Sequence, residues 1–159
     1  MKIDLICVGK IKEPALKELI NEYVKRLSAY ANLSIIELND ESIADRPSEQ
    51  EINIAKRKEG EKILKAIKGN QYVIAFDLVQ NQPNSVEFAK ILEKTFNTYG
   101  AYITFVIGGS YGLSDEVKSR ANLRIGLSNM TFTHQMSRLI ALEQIYRAFK
   151  INNNEVYHK

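Results

Sequence analysis

Five short apolar runs punctuate the chain. They lie at 2–9 (KIDLICVG), 33–39 (LSIIELN), 71–77 (QYVIAFD), 101–107 (AYITFVI) and 123–128 (LRIGLS). Each is too short for a helix and rich in β-branched or aromatic residues, so each predicts a strand. The third run is almost wholly apolar, as a strand covered on both faces should be. Between the runs, apolar and polar residues mix with a helical period. Pro14 stands at a first-turn position and predicts a helix to about Tyr30. Ser48 with Glu51 forms a capping box that opens a second helix, closed near Lys68 by Gly69 and Asn70. Ser85 is expected to cap a third helix ending at Gly100, and Ser114 a short fourth one to about Asn122. The last helix is expected from Thr133 to Ile151, before the polar tail NNNEVYHK.

A strand followed by a helix, five times over, predicts one α/β domain across 1–159. Its sheet should be mainly parallel, with five or six strands and helices on its flanks. Such sheets bind ligands beyond the carboxyl ends of their strands. Two of those ends look unusual: TFVIGGSYGLSDE at 104–116 and LSNMTFTHQ at 127–135.

Composition narrows the class only a little. At 159 residues with 45% hydrophobic and 26% charged positions, the chain can build a sizeable core and a solvated surface. No apolar run approaches the roughly 18 residues of a membrane span. The first residues read as a strand rather than a signal peptide. The single cysteine, Cys7, lies in an apolar strand and reads as a buried small hydrophobe, so a cytoplasmic location is the default. Two histidines and one cysteine do not make a metal site of known spacing. The net charge of +3 says less than its distribution. Lys56, Arg57, Lys58, Lys62, Lys65 and Lys68 share one helix with Glu59 and Glu61. That helix is either a phosphate-binding face or a solvated one laced by pairs such as Lys58 with Glu61.

The glycine loop invites two familiar readings. Gly108-Gly109-Ser110-Tyr111-Gly112 matches G-x-S-x-G, the nucleophile elbow of hydrolases. A serine nucleophile needs a base and an orienting acid later in the chain. Only His134 and His158 follow. Asp115 and Glu116 are too local to orient a base, Glu143 comes after His134, and the next helix is capped four residues beyond Ser110. The dinucleotide pattern G-x-G-x-x-G fails because Ile107 occupies its first glycine position. Asp115 and Glu116 also already complement the helix dipole where a pyrophosphate would sit. What remains is a loop without Cβ atoms, either a plain turn or a floor for a flat base or a sulfonium-bearing cofactor.

The stretches VIGGSYGLSDEV and IGLSNMTFTHQMSRLIALEQIYRAFKI, with the terminal Tyr-His, resemble the ribosomal RNA large subunit methyltransferase H family, of the SPOUT or α/β-knot class. The likeness extends over the whole chain, including KIDLICVGK, the RKEGEKIL helix and the AFD strand end. The resemblance implies a trefoil knot in the C-terminal part, a homodimer, and S-adenosylmethionine (SAM) as methyl donor without a metal. It implies methylation of N3 of a pseudouridine in 23S rRNA of the assembled ribosome. Carried over by position, the cofactor site falls on Phe76, on Gly108, Gly109 and Gly112, and on Leu127, Ser128, Asn129, Met130, Thr131 and Phe132. Tyr157 and His158 would border the substrate, one of them assisting loss of the N3 proton. Arg138 would bind phosphate or steady developing negative charge. Glu143 has a structural reading, paired with Arg147, and His134 could contact cofactor or act locally. Family members often carry leucine at the position of Phe76 and proline at those of Thr133 and Val156. Thr133 can instead cap the last helix. An RNA-binding ribosome-assembly protein on the same scaffold, without catalysis, is the alternative.

Overall fold

Strand β1 (Lys2–Val8) is buried along nearly its whole length, and the sheet is built outward from it. In the computed structural model, which describes residues 1–157, it pairs with β2 (Asn32–Leu38) on one side and β4 (Tyr102–Ile107) on the other. Beyond β4 lie β3 (Tyr72–Phe76) and then β5 (Leu123–Ile125), giving the order β2-β1-β4-β3-β5. Every pairing is parallel. Alternate residues of each strand therefore enter different cores. Ile3, Leu5, Ile74, Phe76, Ile103 and Phe105 face one core, shared with Ala141, Leu142 and Ile145. Ile6, Val8, Val73, Ala75 and Val106 face the other, shared with Ile63, Leu113 and Val117.

Helices α1 (Pro14–Leu27), α3 (Ser85–Tyr99) and α5 (His134–Asn152) cover the first face, with α5 packed against both α1 and α3. Helices α2 (Glu49–Ala66) and α4 (Asp115–Arg120) cover the second. Covering both faces explains why the inner strands read as continuous apolar runs.

Local chemistry sets the helix starts. The capping box of α2 is present: Ser48 Oγ accepts from Glu51 N, and Glu51 accepts from Ser48 N. Helix α3 departs from expectation. Its cap is Asn84, whose Oδ1 accepts from Glu87 N at 2.9 Å while Glu87 Oε2 accepts from Asn84 N at 2.8 Å. Ser85 is the first helical residue and donates instead to Gln144 on α5, 2.8 Å away. Strand β5 is also shorter than its apolar run. After Ile125 the chain leaves the sheet, and Gly126 N donates to Asn81 O at 2.8 Å, outside the ladder.

Candidate active site

The carboxyl ends of β3 and β4 and the segment leading from β5 to α5 enclose a cleft of about 800 Å³. Its walls are Phe76, Asp77 and Leu78 after β3, residues 107–113 after β4, and Leu127, Ser128 and 130–135 before and within the first turn of α5. The cofactor residues expected from the sequence are thus brought together, all of them lining the cleft except Asn129. That side chain is exposed, and its Oδ1 accepts from Gln82 Nε2 at 2.7 Å.

The glycine loop forms one wall. Gly112 N donates to Gly109 O at 3.0 Å, folding the chain back over Ser110 and Tyr111. Gly112 has φ +82°, a conformation other residues rarely adopt. Gly109 is required for a different reason. A Cβ on it would fall 2.8 Å from Glu59 Oε2 and 3.1 Å from Val8 Cγ1, so the loop lies flush on α2 and β1. Ser110 is exposed, and His134 packs against Gly9 rather than toward it. The loop is laid out as a cleft wall rather than as a nucleophile elbow.

The opposite wall is tied down by polar contacts. Asn81 Nδ2 donates to Arg124 O, Gln82 Nε2 to Val79 O, and Met130 N to Ser128 Oγ. Thr133 Oγ1 accepts from Met136 N and caps α5, the role available to it in place of proline. Around the mouth, Leu78, Tyr111, Met130 and Phe132 expose large apolar surfaces, Met130 to 75%. Exposed apolar groups gathered at a concave site mark a ligand surface more than a folding requirement.

The charges of the cleft are few. Asp77 lies 3.5 Å from Arg124 and accepts from Leu78 N. Burial, and then the nearby Arg138 cation, push the His134 imidazole below its ordinary pKa, so it is neutral at pH 7. Lys118 lies at the rim. Among the described residues, no cluster of His, Cys, Asp and Glu could hold a metal ion.

Arg138, expected near phosphate, is 1% exposed and points into the protein. Its Nη1 donates to Glu37 Oε2 and its Nη2 to Gly9 O, both at 2.8 Å, joining α5 to the ends of β2 and β1. Burial alone would raise the Glu37 pKa, but this guanidinium and the Ile11 N–H hold it below the usual carboxylate range. Tyr157 lies beyond the C-terminal end of α5. Its hydroxyl donates to Glu143 at 3.1 Å, and its ring stacks edge-on against Tyr146 and under the Arg147 guanidinium. Glu143 also pairs with Arg147 at 2.6 Å, the structural role expected of it. Glu143 is six residues beyond Ser137, the last residue of α5 that lines the cleft, about 9 Å along the helix at 1.5 Å per residue. Tyr157 therefore does not line the cleft. His158 lies outside the described residues.

On α2, Lys62 is engaged by Glu41 at 2.6 Å and by Asn39 O, so it is not free for phosphate. Lys56 and Arg57 line a second groove with Asp115 and Glu116, which offset their charge. Asp77, Leu78, Tyr111 and Lys118 are cleft residues not singled out from the sequence. The signal for the first two was their place just beyond the third strand.

A parallel sheet with a glycine-floored cleft at its strand ends is the setting in which the family likeness has meaning. The chain belongs to the SPOUT methyltransferases: the family model described as "Predicted SPOUT methyltransferase" matches residues 1–158. Within that class it is similar over its full length to ribosomal RNA large subunit methyltransferase H. The identity is 53% with the protein of Clostridium novyi (strain NT) and 50% with that of Clostridium acetobutylicum (strain ATCC 824), covering 100% of each chain. Solved structures share the fold at low identity. A tRNA methyltransferase from Aquifex aeolicus matches with TM-score 0.52 and 13% identity, over 92% of this chain and 69% of that one. A Legionella pneumophila structure described as a methyltransferase with bound SAM matches with TM-score 0.50 and 13% identity, over 94% and 66%.

Proposed function

We propose that this protein transfers a methyl group from SAM to N3 of a pseudouridine in 23S rRNA of the large ribosomal subunit, acting on assembled ribosomes in the cytoplasm. The observation that carries the reading is the cleft. Its glycine wall is backbone laid flush on the protein, Gly109 against Glu59 and Val8, with open space beside Gly112, and its mouth presents Leu78, Met130 and Phe132 to an adenine-sized ring. These residues fit SAM: a bare backbone floor, apolar walls, and Asp77 as an acceptor for polar hydroxyl or ammonium groups. Bound there, SAM would supply an activated methyl on a sulfonium. Full-length identity above 50% with ribosomal RNA methyltransferases supports rRNA as the acceptor.

The protein's share of the work is alignment and proton handling. In-line displacement needs donor and acceptor held within contact. The weakly acidic N3–H favours a nearby group that accepts a proton or stabilises the anion. Tyr157 and His158 are assigned to that side of the reaction. Tyr157 is held away from its own protomer's cleft, so its place beside the substrate requires a second copy of the chain, a homodimer. Threading of the C-terminal segment is part of the same reading. Gly126 is hemmed in by Asp77 O, Val79 O and Gln82 Cγ, so the 77–82 loop wraps the strand end that leads into α5.

Transfer of tritium from labelled SAM to ribosomes lacking the modification tests the reading. Label should enter 23S rRNA of assembled subunits. SAM binding by calorimetry without transfer would instead favour an assembly factor, and no binding would remove the reading altogether.

A further inference from the structure

Glu59 is a buried carboxylate that the cleft description leaves unexplained. It is 8% exposed on α2, and Oε1 accepts from Glu41 N at 2.9 Å. Among the described residues it has no ion-pair partner. Lys62, the cation on its own helix that acts on it, is held by Glu41. Asp40 and Glu41, on the loop after β2, add negative charge rather than relieve it. Oε2 lies 2.8 Å from where a Gly109 Cβ would stand, so only the thickness of a glycine backbone separates the carboxylate from the cleft. Gly60, beside it, lets α2 press just as closely on Ser114 at the start of α4. A buried anion without a counter-charge is costly, and a cation drawn close to it relieves that cost.

We propose that Glu59 is a positioning residue that acts through Gly109 to make the cleft prefer a cationic ligand, so that sulfonium-bearing SAM is held more tightly than its neutral thioether product, S-adenosylhomocysteine. The inference rests on the proposed function. It adds a reason for product release: loss of the methyl group removes the ligand's sulfonium charge, and with it the attraction of the carboxylate beneath the floor. Burial first, with Asp40 and Glu41 beside it, raises the Glu59 pKa against the Glu41 N–H and Lys62. The preference should therefore fade on acidification at higher pH than an ordinary carboxylate would allow.

The test is calorimetry of both ligands on the full chain. Glu59→Gln should lower the SAM-over-thioether affinity ratio at least fivefold, mainly by weakening SAM. Glu59→Asp, which keeps the charge, should retain most of the ratio. Equal weakening of both ligands by Glu59→Gln would mean packing alone and overturn the proposal. If Glu59→Gln does not fold, the ratio for the Asp77→Asn, His134→Gln protein is followed from pH 8 to pH 4, which removes the other carboxylate and the imidazole lining the cleft. A ratio that falls supports the proposal, and a flat one overturns it. Failure of the wild-type protein to bind either ligand would instead remove the SAM reading itself.

Discussion

Replacing Arg138 by methionine separates an interior tie from a phosphate contact. The guanidinium is 1% exposed and makes two charge-assisted hydrogen bonds at 2.8 Å, to Glu37 and to Gly9 O. Methionine fills much of the aliphatic volume but donates nothing. The Gly9 carbonyl then loses its buried donor, a cost of about 1–3 kcal/mol. Glu37 loses less, because its side chain is 40% exposed and water can replace the guanidinium. Imperfect filling of the space adds roughly 1 kcal/mol. The sum is about 2–4 kcal/mol, or a fall in Tm of about 5–15 °C for a chain of this size. Glu37→Gln leaves a buried cation opposite a neutral acceptor. With water at hand, it should cost about 1–3 kcal/mol, below the range for a fully buried pair. Each single change strands the other partner, so the double variant should cost clearly less than the two together. Urea midpoints and thermal scans of the four proteins give the cycle. Arg138→Met with an unchanged midpoint but lost methylation would refute the tie and restore Arg138 to the substrate. Strict additivity would refute the coupling.

The pair also carries a pH signature. Glu37 titrates below the ordinary value of about 4.3, so its contribution is complete above that pH and is lost as pH falls through the depressed folded value. His134 acts in a different window. The unfolded chain takes up a proton near pH 6.5 before the half-buried imidazole does, so stability should fall as pH drops from about 6.5 to the lower folded pKa. His134→Gln should flatten that slope in urea midpoints taken between pH 5 and 7.5, and an unchanged slope would reject the assignment. Gly109→Ala drives a Cβ against Glu59 and Val8; it should cost about 1–3 kcal/mol and weaken SAM binding, read by calorimetry. Ser114→Ala removes the cap of α4 and should cost about 1 kcal/mol, seen as a small drop in Tm.

The inner strands were legible because parallel strands covered on both faces must be largely apolar, and β1, β3 and β4 show it. Their order was not, since the placement of β4 between β1 and β3 depends on contacts far apart in sequence. The cap of α3 was readable but misassigned. Asn84 and Ser85 can both cap, and Glu87, three residues beyond Asn84, decides between them by closing the box. Ile125 ends β5 early because Gly126 turns its N–H to Asn81, a partner no local pattern reveals. The cleft's lining followed from strand ends and from the family likeness together. Arg138 did not, because α5 packs on the sheet, α1 and α3 at once and so has no clear polar face on which to place a charge. Glu59 sits in a charged run that reads as solvated, and only its approach to Gly109 distinguishes it.

The wall formed by residues 127–135 has a consequence for the making of the protein. It is the last of the three walls to leave the ribosome, and its anchors, Gln82 and Gly9, were both synthesised long before it. A nascent chain that has completed β4 and its glycine loop possesses a floor and one side, but nothing opposite. Ligand affinity should therefore arise late, when α5 docks and Arg138 reaches β1. A growing chain would remain blind to the cofactor until most of its length had been translated.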